Sequence, residues 1–122
     1  MTEIIVSQFK KQILGLIDDL QEIFPKESDL LLIRLYLDNA IPEIELIEGF
    51  EKWVYPWKDK ILAKNDIFFK DNDHAFGPLP KNKVEKIKNM WFSNTFDKDD
   101  KEVLWAYFQV YIKLIEKYKK LV

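Results

Sequence analysis

Apolar residues recur along most of the chain at steps of three and four, the spacing that lines one face of an α-helix. In the opening segment, Thr2 to Phe24, the face is Phe9, Ile13, Leu16, Ile17, Leu20, Ile23 and Phe24. Pro25 closes it, because the residue before a proline is pushed out of helical geometry. A second helix is expected from about Ser28, which suits an N-cap, with Asp29 in the first turn. Its run LLLIRLYL is apolar all round rather than on one side. Short apolar runs can also be strands, but the leucines and the preceding cap favour a helix.

Pro42 suits the start of a third helix. Ile47, Phe50, Trp53, Val54, Trp57 and Ile61 keep one phase through Pro56, which removes the usual partner of the Lys52 carbonyl. The expectation is a kinked helix or two abutting ones. A short turn, NDIFF, follows, with Asn65 or Asp66 as its cap. A fourth helix spans about Lys83 to Phe92, with Val84, Ile87 and Trp91 in phase. The last runs from about Lys98 to Lys120, capped by Asp97 and closed by Lys117, Lys119 and Lys120. The fold class expected is all-α: a single domain, 1–122, forming a bundle of about five helices, the third kinked or broken at Pro56.

Two of these helices carry more apolar surface than one face can use. The last has a main face of Val103, Tyr107, Val110, Tyr111, Leu114 and Tyr118, and beside it a second stripe, Trp105, Phe108, Ile112 and Ile115. A helix apolar on all sides must be buried on all sides. Two such helices are hard to bury in 122 residues. One is therefore expected to meet another chain, as a homo-oligomer or with a protein partner. The expected contact surface is Trp105, Phe108, Ile112 and Ile115. If the second helix is buried, Arg34 inside LLLIRLYL must meet a carboxylate or carbonyls, and Glu43, Glu45 or Glu48 are the candidates by proximity in sequence.

Composition narrows the chemistry. There is no cysteine, so thiolate metal sites, disulfides and thiol nucleophiles are excluded. The formal net charge of −2 argues against a dedicated nucleic-acid binder. The N-terminus does not read as a signal peptide, and no apolar run approaches the length of a membrane span. An intracellular protein is expected, and no cofactor or small-molecule substrate is implied.

The stretch KDNDHAFGPLPKNK, residues 70–83, holds the sole histidine. Read as a calcium loop from Asp71, it offers Asp73 at the third position but Ala75 at the fifth. Glycine arrives at the seventh, Gly77, and Asn82 stands where a bidentate acid belongs. A transition-metal or general-base site could use His74 with Asp71 and Asp73, but no second histidine and no nucleophile motif supports it. Turn chemistry accounts for the stretch better: D-N-D bonds its own backbone, and the prolines preset extended geometry. Phe76 and Leu79 are then anchors that pin a connection to the core.

KNKVEKIK, residues 81–88, opens a helix with lysines, the wrong sign for the helix dipole. An anion could relieve it, which gives an alternative reading: a nucleic-acid or anion-binding face of Lys81, Lys83, Lys86 and Lys88, with Trp91 and Phe92 for stacking. Lysine is abundant throughout the chain, and a solvated lysine face competes with that reading.

YPWKDKILAKNDIFF, followed at a distance by DKEVLWAYFQVYIKLIEKY, resembles small helical proteins that recur in large double-stranded DNA viruses. The opening FxxQIxxLIxxLxxIFP is compatible with it. The resemblance implies a virus-encoded helical protein, a virion or assembly component, with a variable loop at 70–83. It implies no enzymatic activity and carries no catalytic residues.

Overall fold

The computed structural model describes all residues, 1–122, as α-helices joined by short connections, with no strand. There are seven α-helices rather than five: α1 (Thr2–Ile23), α2 (Ser28–Asn39), α3 (Glu43–Trp53), α4 (Lys58–Leu62), α5 (Ile67–Asp71), α6 (Lys81–Trp91) and α7 (Lys98–Leu121). The additional ones come from Pro56 and from NDIFF. Around Pro56 the helix does not bend but breaks, through a 3-10 turn at Tyr55–Trp57, and restarts as α4. In NDIFF, the Ile67 N–H donates to Asn65 Oδ1 at 3.0 Å, and a short helix follows.

Local signals set the other ends. The Phe24 N–H still bonds the Leu20 carbonyl, and Pro25 allows no continuation. Asp97 forms a capping box with Asp100: its Oδ1 accepts from the Asp100 N–H at 2.9 Å, and its own N–H donates to Asp100 Oδ2 at 3.2 Å.

The long helices α1 and α7 run antiparallel through the centre. Tyr107 Oη donates to Asp19 Oδ2 at 2.6 Å, and Tyr111 Oη donates to the Gln12 carbonyl at 3.0 Å. α3 lies against both, its Phe50 ring 5.2 Å from Phe9 and 5.6 Å from Tyr111. α2 returns along the other side of α1, tied by Lys10–Asp38 at 3.0 Å and Arg34–Asp18 at 2.7 Å. Arg34 thus finds its carboxylate on α1 and not at Glu43, Glu45 or Glu48. That hydrogen bond holds the guanidinium pKa above its ordinary value.

α5, α6 and the 72–80 loop bring an aromatic cluster onto α7. Phe69 lies 4.3 Å from Trp91, Phe68 5.1 Å from Phe108, Phe76 5.4 Å from Phe108, and Trp91 5.2 Å from Trp105. Covered on this side by the cluster and on the other by α1 and α3, α7 is buried over a wide arc. The expected contact surface on α7 is therefore corrected: Trp105, Phe108, Ile112 and Ile115 are 3%, 0%, 1% and 0% exposed and belong to the core. Val103 and Val110, assigned by phase to the main face, are the ones turned outward.

Candidate functional site

The 70–83 loop is anchored as its composition suggests. Ala75, Phe76 and Leu79 are buried. Gly77 has φ +63°, a conformation glycine adopts freely, and a side chain there would collide with the Phe50 ring. Gly49 on α3 leaves room for Pro78, whose Cδ would lie 2.6 Å from an added Cβ. A further anchor carries no hydrophobic signal: Asn72. Its Nδ2 donates to the Trp53 carbonyl at 3.0 Å, and its Oδ1 accepts from the His74 N–H at 2.9 Å. His74 then stacks on Trp53, ring centroids 4.1 Å apart.

Asp71, Asp73 and His74 do not converge. Asp73 reaches toward α6 while His74 lies on Trp53, and no group of three or more histidine, aspartate or glutamate side chains gathers at metal-binding range. Neither the metal nor the general-base constellation is assembled.

The lysine-rich start of α6 is occupied from within. Asp73 sits between two lysines, its Oδ2 3.4 Å from Lys81 and its Oδ1 3.8 Å from Lys88. Lys88 is itself buried. Lys86 pairs with Asp29 of α2 at 2.8 Å, an ion pair that lowers the aspartate pKa and raises that of the lysine. Lys83 lies over the Tyr36 ring, 5.4 Å from its centroid. Of the four lysines of the alternative anion-binding face, only Lys88 is buried, while Lys81, Lys83 and Lys86 each lie against a partner of the same chain, Asp73, the Tyr36 ring and Asp29.

The surplus apolar surface lies instead on α2. Leu30, Ile33 and Leu37 point into the core, whereas Leu31, Leu32 and Leu35 are 52%, 56% and 48% exposed. These three share one side by their i, i+3 and i, i+4 spacing. Exposed Ser28 and Asn39 stand one turn beyond them at either end. One flank of this stripe is the α1 side, where Lys10–Asp38 and Arg34–Asp18 neutralise each other. The other is the α6 side, with the Asp29–Lys86 pair, Glu27 and Lys83. Here Glu27, Asp29, Lys86 and Met90 border a cleft of about 310 Å³. An apolar centre inside a charged rim is the make-up of a protein contact surface.

A second, shallower apolar surface runs between α1 and α7, a groove of about 350 Å³ lined by Gln12, Asp19, Val103, Ala106, Tyr107 and Val110. A further cleft, about 410 Å³, is bordered by Pro56, Trp57, Asp59 and Lys60. No helix is long and apolar enough to cross a membrane. No protein family, characterised protein or solved structure matches this chain.

Proposed function

We propose that this chain is a non-enzymatic α-helical interaction module, structural or adaptor-like, that binds protein through the outer face of α2. The observation that carries this reading is the leucine stripe Leu31, Leu32 and Leu35, half-exposed on one helix and bordered by ion pairs. Leucine at three neighbouring half-exposed positions leaves apolar area in water, and its natural use is contact with another apolar surface. The separation of Asp73 from His74 leaves the one enzyme reading that used this loop without its constellation. A virus-encoded assembly role rests only on the resemblance of YPWKDKILAKNDIFF and the aromatic last helix.

The test is affinity capture with cross-linking, using the wild-type chain and Leu35→Glu as baits. Leu35 makes an exposed stripe, so the variant is expected to keep the wild-type far-ultraviolet spectrum. Cross-links from the partner should fall on Lys10, Lys83 and Lys86, the lysines beside the stripe, and should disappear with the variant. Identical capture by both baits would remove α2 as the contact surface.

A further inference from the structure

The rim of the α2 stripe says more than that a protein binds there. We propose that the face docks onto the same face of a second copy of this chain, in an antiparallel two-fold pair. This deepens the reading above, on which it rests.

The first ground is the pattern along the stripe. Ser28, Leu31 with Leu32, Leu35 and Asn39 place the leucines centrally and a small polar residue at each end. A two-fold axis through the middle sets leucine on leucine and Ser28 of one copy against Asn39 of the other. An isologous contact requires this kind of self-complementary pattern.

The second ground is charge. In an antiparallel pair of helices, like flanks meet with their directions reversed. The α1 flank consists of two closed ion pairs, so it meets its counterpart without net repulsion. The α6 flank is polar along its length. Glu27 and the Asp29–Lys86 pair stand at the start of α2, while Lys83 stands over Tyr36, two turns further on. Neither Glu27 nor Lys83 takes part in an ion pair within the chain. With Ser28 set against Asn39, reversal directs Lys83 of one copy toward the Asp29–Glu27 end of α2 in the second copy, at both ends of the pair. A parallel two-fold pair would instead set the α6 flank of one copy against the α1 flank of the other, whose closed ion pairs offer Glu27 and Lys83 no free opposite charge. Antiparallel helix dipoles also attract.

Area fixes the strength. Three half-exposed leucines and their rim offer about 400–600 Å² per copy, against about 800 Å² per partner in stable complexes. The pair is therefore weak, with a dissociation constant on the order of micromolar or above.

Sedimentation equilibrium across a concentration series reads this directly on the full chain. A monomer–dimer equilibrium is expected, weakened about tenfold or more by Leu35→Glu. Lys83→Glu and Glu27→Lys should each weaken it, and the two together should restore it. The geometry has its own reporter, because the chain has no cysteine. On mild oxidation, Leu32→Cys near the axis should give a disulfide-linked dimer, whereas Ser28→Cys alone should not. Ser28→Cys mixed with Asn39→Cys should. A chain that stays monomeric throughout, a dimer indifferent to Leu35→Glu, or self-linking of Ser28→Cys would overturn the proposal. A monomeric chain that still captures another protein in a Leu35-dependent way would overturn only the second copy and leave α2 as the docking face.

Discussion

Gly77 shows how one residue can hold a loop in place. Its positive φ turns the backbone, and its missing side chain lets the loop close on Phe50. Gly77→Ala brings backbone strain and a clash with a fully buried ring together, so it should cost about 2–4 kcal/mol in urea unfolding. Tyr107 offers a different probe. Burial first, and then the hydrogen bond to Asp19, raise its pKa from 10.0 to about 12. The folded state therefore holds the phenol proton more tightly than the unfolded chain does. The contribution to stability is fully present below pH 10 and is lost as the pH rises toward about 12. Tyr107→Phe should flatten the fall of stability across that window, measured as denaturation midpoint against pH. Tyr111, also raised by burial, will keep part of the slope.

At the scale of the helix, the ends and the faces of α1 and α6 were legible, and the orientation of α7 was not. Pro25, Pro42 and Asp97 act on their immediate neighbours, so the boundaries they set can be read from a few residues. The orientation of α7 cannot. Its two stripes, Trp105–Phe108–Ile112–Ile115 and Val103–Tyr107–Val110–Tyr111–Leu114–Tyr118, are both apolar and both in helical phase; the second is buried only at Tyr111, Leu114 and Tyr118. What decides between them is Phe68, Phe69, Phe76 and Trp91, which reach α7 only through the tertiary fold. Arg34 repeats the lesson, since Asp18 lies 16 positions away in the sequence. The surplus of apolar surface could be counted from the sequence; which helix would carry it outward depended on these distant contacts. The loop followed the same division. Phe76 and Leu79 announce themselves as anchors, but Asn72 does so only once the Trp53 carbonyl is in view. Because Trp105 is core, Trp105→Ala should lose about 3–5 kcal/mol and shift thermal unfolding sharply downward. A variant with wild-type stability would return Trp105 to the surface.

Over the whole molecule, a single cluster of buried side chains joins all the long helices. Unfolding is accordingly expected to be one cooperative transition, with tryptophan fluorescence and far-ultraviolet circular dichroism coinciding in urea. Separate midpoints for the two signals would mean that the α5–α6 aromatic region opens independently of the α1–α7 pair.

The pairing of α1 with α7 also bears on how the chain is made. Tyr111 reaches back 99 positions to the Gln12 carbonyl, and Tyr107 reaches back 88 to Asp19. During synthesis α2 and α3 can pack on α1 soon after it emerges, but the side of α1 that meets Tyr107 and Tyr111 waits for nearly the whole remaining chain. Until then that side is open to the ribosome surface, to chaperones or to a neighbouring nascent chain. A product stalled before α7 would leave that side of α1 uncovered for good.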